Sequence, residues 1–182
     1  PQLQLPQIQW EAFRYNSGTS SLYANKMLVQ TDGESAGQYY KWDRGSFSAY
    51  SLMRDVTKMM EEAERINSPA YTALGKFFRA NYFLNLTMTF GDVPYSEALK
   101  GESENIGNPK YDPQKEIFKG ILKELEDADA ILASQNTLIA GDIIYGGDVQ
   151  KWRKAVNAFR LKTLMLLSKK EGEADLNVKS TF

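Results

Sequence analysis

The sequence predicts an all-α chain built from helical hairpins joined by long loops. Three observations carry that prediction. Two segments, near 48–66 and 113–132, place apolar residues at three-to-four spacing with charge opposite. Each is followed by a segment that is apolar on several sides and rich in aromatic rings, at 69–90 and 149–169. Proline and glycine stops separate them.

The elements follow in order. Residues 6–30 read as a first helix with an uneven apolar pattern, and 31–47 as a loop rich in Gly, Asp, Ser and aromatics. In 48–66 the stripe is Leu52, Met53, Val56, Met59, Met60, Ala63 and Ile66, opposite Arg54, Lys58, Glu61, Glu62 and Arg65. Ser68 is placed to cap the next helix, with Pro69 in its first turn. The helix over 69–90 carries Leu74, Phe77, Phe78, Tyr82, Phe83 and Phe90 and reads as buried. Gly91 and Pro94 stop it. Asp112-Pro113 repeats the cap-plus-proline start, and Ile117, Phe118, Ile121, Leu122, Leu125, Ala128, Ile131 and Leu132 form the second stripe. After a Gly-rich loop, Asp148 caps a last helix over 149–169 that again reads as apolar on several sides. The tail from Lys170 to Phe182 is polar. The same unit therefore occurs twice, about 48–90 and 113–169, each an amphipathic helix followed by a more buried one. The helix starts lie too far apart for the roughly 34-residue tetratricopeptide period, and the extra length sits in the loops.

Composition excludes several chemistries. With 182 residues the chain is long enough for one helical domain with a real core. A formal net charge of −1 gives no electrostatic drive toward nucleic acid or an acidic membrane surface. The chain has no cysteine and no histidine, so disulfides, thiolate sites, the usual zinc sites and a Ser-His-Asp triad are absent from it. No phosphate-binding glycine motif and no calcium loop occurs, so neither cofactor nor metal is expected. The chain opens at Pro1 without a leader pattern.

Glu124, Glu126, Asp127 and Asp129 are the densest carboxylates. Their spacing puts them on the outer face of an amphipathic helix, within reach of Lys119 and Lys123. A glycosidase needs a sheltered pair, so catalysis is not expected there. Asn85-Leu86-Thr87 matches a glycosylation sequon but falls inside the most apolar helix, and reads as a chance match. The loop carrying Gln38, Tyr39, Tyr40, Trp42, Asp43 and Arg44 has two readings. Its rings suit stacking on the CH faces of sugars, with the amide, carboxylate and guanidinium bonding hydroxyls. The rings equally suit a lid over helix ends.

Two stretches resemble the SusD/RagB family of outer-membrane nutrient-binding lipoproteins. Residues 73–98 carry Arg79-Ala80, Tyr82-Phe83 and the turn Gly91-Asp92-Val93-Pro94-Tyr95. Residues 111–132 and 142–169 carry a second amphipathic helix, then Tyr145-Gly146-Gly147-Asp148, Lys151-Trp152, Asn157 and Arg160-Leu161-Lys162. The motif residues themselves read as structural: Trp152 and Phe159 as core, Arg79 and Arg160 as partners of neighbouring backbone. The resemblance implies a tetratricopeptide-like fold, here its N-terminal part, and a glycan-binding protein that is not an enzyme. It implies an outer-membrane location facing outward through an N-terminal lipid anchor, and a SusC-like TonB-dependent transporter as partner. In the family the ligand site draws aromatics from the N-terminal loop region, where Tyr39, Tyr40 and Trp42 stand. No lipidated cysteine is present and the family's second half is missing, so a fragment of a longer chain, 1–182 as one helical domain, is the expectation. The alternative function is a protein- or peptide-binding helical scaffold without a sugar site.

Overall fold

The computed structural model describes residues 1–14, 22–23, 25–33, 45–170, 172–173, 176 and 178. It divides into two units. One runs from Pro1 to Ala12 and from Phe47 to Phe182; the other is Phe13–Ser46.

Among the described residues the larger unit contains the α-helices α1 Leu5–Phe13 (which ends one residue into the other unit), α2 Ala49–Arg65, α3 Pro69–Phe90, α4 Gln114–Ala133 and α5 Val149–Leu166, with a 3₁₀ turn at Ser168–Lys170. Among the described residues the only β pairing is an isolated antiparallel bridge between Val93 and Asp112. The all-α hairpin architecture is as the periodicity predicts. α2 packs on α3, α3 on α4 and α4 on α5, so α2–α3 and α4–α5 are the two hairpins.

α3 is the centre. Thirteen of its residues are buried, from Ala70 to Thr87, which is why its apolar residues show no single face. Its rings reach α5: Phe77 and Phe78 lie 5.6 and 5.9 Å from Trp152, both edge-on, and Phe77 lies 5.6 Å from Phe159. Edge-to-face pairs at such distances add about 0.5–1.5 kcal/mol each beyond area burial. Trp152 is 1% exposed and is the largest fully buried side chain among the described residues. α2 contributes Met53, Val56, Met59 and Ala63, and α4 contributes Ile117, Ile121, Leu125 and Leu132. Ile66, the last residue of the predicted α2 stripe, lies past the helix end and is exposed.

Several expectations need correction. The helix predicted over 6–30 ends at Phe13, and Lys26 has φ +56°, outside helical geometry. The sequence just beyond, Asn16-Ser17-Gly18-Thr19-Ser20-Ser21, has low helix propensity. α5 is less buried than α3: Leu161, Met165 and Leu166 are exposed. The polar tail is partly tied down, with Leu176 and Val178 buried. Ser68 does occupy the N-cap of α3, but its hydroxyl makes no capping bond. Gly91 ends α3 as expected, with φ +77°, a conformation that costs other residues about 1–2 kcal/mol.

In the smaller unit, the amides of Met27 and Leu28 donate to the Leu22 carbonyl and that of Lys26 to the Tyr23 carbonyl.

Candidate functional site

The six loop residues singled out from sequence, Gln38, Tyr39, Tyr40, Trp42, Asp43 and Arg44, lie outside the described residues. The motif residues lie within them, and they assemble into two corners and one ion-pair seam.

The first corner joins α3 to α4. Gly91 releases the chain from α3, and Val93 bridges to Asp112. Asp112 is buried, yet it does not cap α4 as its Asp-Pro sequence predicts. Its carboxylate accepts instead from the amides of Tyr95 (3.1 Å) and Ser96 (2.7 Å) and from the Ser96 hydroxyl (3.0 Å). Burial works to raise its pKa, but these donors, with Lys110 nearby, outweigh it and hold the carboxyl below the ordinary aspartate range. The start of α4 is capped from a distance: Asp92 accepts from the Gln114 amide at 2.8 Å. The Gly-Asp-Val-Pro-Tyr turn therefore satisfies the next helix as well as ending the previous one.

The second corner joins α4 to α5. Asp142 is buried and accepts from Gln9 Nε2 (2.6 Å), Trp152 Nε1 (2.8 Å) and the amides of Ile144 (3.0 Å) and Gly147 (2.8 Å), with Tyr145 at 3.2 Å. Gln9 in turn accepts from the Ile143 amide at 2.9 Å, which straps α1 to this corner. Burial again works to raise the pKa of Asp142, and the backbone, indole and amide donors override it downward. Asp148 caps α5 as predicted, accepting from Gln150 and Lys151 amides.

The seam runs between α3 and α4. Glu124, predicted to face solvent and pair with Lys119 and Lys123, is mostly buried. It accepts from Arg79 Nε at 2.8 Å and from the Tyr95 hydroxyl at 2.9 Å. Arg79 also lies 4.9 Å from the Phe83 ring centre and donates to the Tyr95 carbonyl at 3.3 Å. Burial, then the Glu124 charge, pushes the Tyr95 phenol far up. Asp127 pairs with Lys76 and Lys123, and Asp129 with Arg153 and Asn157. Lys119 pairs with Glu116. The acidic face of α4 is thus in large part an interhelix seam, because α3 and α5 flank it and bring their own cations. The carboxylates are neutralised by fixed partners, an arrangement for holding helices in register and not for proton transfer. Arg160, expected to serve neighbouring backbone, has a buried Nε with no hydrogen-bond acceptor among the described residues. In the sequon, Thr87 is fully buried and its hydroxyl donates to the Gly91 carbonyl, inside a continuous helix.

Among the described residues, one surface recess of about 390 Å³ is lined by Arg54, Thr57, Lys58, Glu61, Leu99 and Glu102, among others. Another, of about 340 Å³, includes Met60, Glu64, Lys76 and Arg79. Neither has an aromatic wall. No group of three or more acidic side chains among the described residues is placed to hold a metal ion, and none of the described helices is long and apolar enough to cross a membrane.

A third feature was not foreseen from sequence. Phe47 stacks on Phe90 at 4.4 Å with an interplanar angle of 16°, and its ring centre lies 6.1 Å from that of Tyr50. Tyr50 donates to the Pro94 carbonyl at 2.6 Å. The bridge between Val93 and Asp112 sets Tyr111 across from Pro94. Phe47 and Phe90 stand 43 residues apart in sequence, and no local pattern signals their stacking.

Comparison with known proteins agrees with the motifs. Residues 4–181 match the SusD-like family described as starch-binding and associating with the outer membrane. Among solved structures, a SusD homologue from Bacteroides fragilis is 56% identical over 92% of this chain, with a TM-score of 0.83. A Bacteroides vulgatus outer membrane protein, whose description names nutrient binding, is 50% identical over 100% of the chain, with a TM-score of 0.88. A protein described as chitin-binding is 26% identical over 100% of the chain, with a TM-score of 0.75. The chain spans 36%, 39% and 42% of the lengths of these three structures. No curated protein sequence matches. The helical-hairpin fold, the ordered motifs and the match along nearly the whole length agree: this chain belongs to the SusD-like family, whose members bind nutrients rather than transform them.

Proposed function

We propose that the chain is part of a cell-surface protein that captures oligo- or polysaccharide and passes it to a SusC-like TonB-dependent transporter. The protein is held on the outward face of the outer membrane by an N-terminal lipid anchor. The observation that carries this reading is the family match over residues 4–181. A chitin-binding relative of the same fold supports it. The ion-paired carboxylates of α4 fit it too, since they serve helix packing and leave no free acid–base pair.

In this reading Tyr39, Tyr40 and Trp42 stack on sugar rings, while Gln38, Asp43 and Arg44 bond hydroxyls. The crowding of three aromatics among polar side chains within seven residues motivates it. Affinity electrophoresis in gels containing soluble starch, chitin oligomers, or plant and fungal polysaccharides tests it. Retardation by one glycan, lost in Trp42→Ala, is the expected result. Retardation that survives Trp42→Ala removes the loop from the site. No retardation by any glycan overturns the saccharide reading and leaves a protein-binding scaffold.

A further inference from the structure

Charge is segregated along this chain. Residues 149–170 carry seven lysines and arginines and no acidic residue, so all 23 acidic residues lie elsewhere. The formal net charge of −1 is an average that hides this basic segment.

The fold sorts the cations of the segment into two groups. Arg153 is tied inward to Asp129, and the Nε of Arg160 is buried. Lys151, Lys154 and Lys162 are exposed on α5, and Lys169 is exposed just beyond it. Lys154, Lys162 and Lys169 have no ion-pair partner among the described residues. Apolar side chains share the outer face. Lys151, Lys154, Ala158, Leu161, Lys162 and Met165 recur at three-to-four spacing, so they line one side of α5. The opposite side, with Trp152, Val156, Thr163 and Leu164, is buried. Leu161 is 43% exposed, Met165 65%, and Leu166, at the edge of the outer face, 45%. Lysines and large apolar residues are thus interleaved over a face about 20 Å long.

That mixture selects a partner. A dissolved polyanion would use the ammonium groups and leave the apolar side chains in water. A protein partner would cover the apolar ones, but the buried centres of protein interfaces are depleted in lysine. A second copy would set lysine against lysine. An anionic lipid surface uses both. Apolar side chains enter the boundary between headgroups and acyl chains, and lysine stems lie along them with their ammonium groups among the phosphates.

We propose that the outer face of α5 rests on an anionic lipid surface. This contact is additional to the N-terminal anchor of the reading above and independent of glycan capture. The association of the family with the outer membrane is consistent with it.

Flotation with vesicles tests the contact. The chain is mixed with vesicles of phosphatidylethanolamine and phosphatidylglycerol in equal parts, or of phosphatidylcholine alone. Flotation with the anionic vesicles only, reversed by high salt, is the expected result. Lys154→Gln/Lys162→Gln is expected to weaken binding about thirtyfold, a factor of about five for each lysine. Leu161→Gln/Met165→Gln keeps helix propensity and alters exposed side chains only, so it folds; thermal melts check this. It is expected to weaken binding as well. Flotation that is unchanged in this second variant, or equal with both kinds of vesicle, overturns the lipid contact. So does a failure to float with anionic vesicles. Glycan retardation in gels is read separately and stands or falls without it.

Discussion

The two corners of the molecule solve the same problem with different depth. Each turns the chain from one long helix into the next around a single buried aspartate that collects backbone amides. At the α3–α4 corner, Asp112 serves two amides and a hydroxyl, all from the adjacent residues Tyr95 and Ser96. At the α4–α5 corner, Asp142 serves its own turn, the buried indole of Trp152 and, through Gln9, helix α1. The first is a local clasp. The second is a junction at which three separate parts of the chain meet. The number of distinct segments tied to one carboxylate, more than its burial, sets how much of the fold depends on it.

That comparison makes graded predictions. Asp142→Ala orphans at least four donors in a buried site and is expected to cost roughly 3–5 kcal/mol, since each unsatisfied group costs about 1–3. Asp112→Ala, on a shallower clasp, is expected to cost about 2–3 kcal/mol. Urea melts rank them, and equal losses would erase the distinction between the corners. Glycine substitutions sharpen it. A Cβ at Gly147, with φ +85°, would lie 2.7 Å from the Ile139 carbonyl oxygen, whereas at Gly91 it meets open space. Gly147→Ala is expected to cost about 2–3 kcal/mol and Gly91→Ala about 1–2, the backbone strain alone.

Acid distinguishes the corners from the rest of the core. Both aspartates sit below their ordinary range in the folded state. Their stabilisation is therefore fully present above the unfolded value near pH 4, and is lost as pH falls through the folded values. Between pH 5 and 2.5 the stability gap between the unaltered chain and Asp142→Asn is expected to narrow. A gap independent of pH would assign the effect to shape and not charge. The smallest effect concerns Tyr50, whose pKa burial, with Tyr111 adding, pushes up to about 12. Its neutral form is favoured by folding, so this contribution holds below about pH 10 and fades as pH rises toward 12. Absorbance at 295 nm is expected to show one fewer late-titrating phenol in Tyr50→Phe.

Features that depend on neighbours in sequence were legible, and those that depend on distant ones were not. Asp148 caps α5 because the amides it needs are two and three residues away. Asp112 likewise stands just before a helix, yet the amides of Tyr95 and Ser96 win its carboxylate from 17 and 16 residues upstream. Glu124 follows the outward phase of its helix, and only the arrival of Arg79 from α3 converts it into a buried partner. The α5 pattern matches that of α3, but burial depends on how many helices surround each, which periodicity does not encode. The loop aromatics stood out in sequence by crowding within a few positions. The stacking of Phe47 on Phe90 did not, because the two rings are 43 residues apart in the chain.

The sequence by itself determined helices α2 to α5 with their near boundaries, and the family, because period, propensity and stop residues act over a few positions and the motifs are contiguous; it overran the end of α1. Only the tertiary structure decided which carboxylates became ion pairs, which polar groups closed the corners, and which aromatic rings packed on one another. Those outcomes depend on what another helix places within about 3 Å for a hydrogen bond, or about 5 Å for a ring, of each side chain.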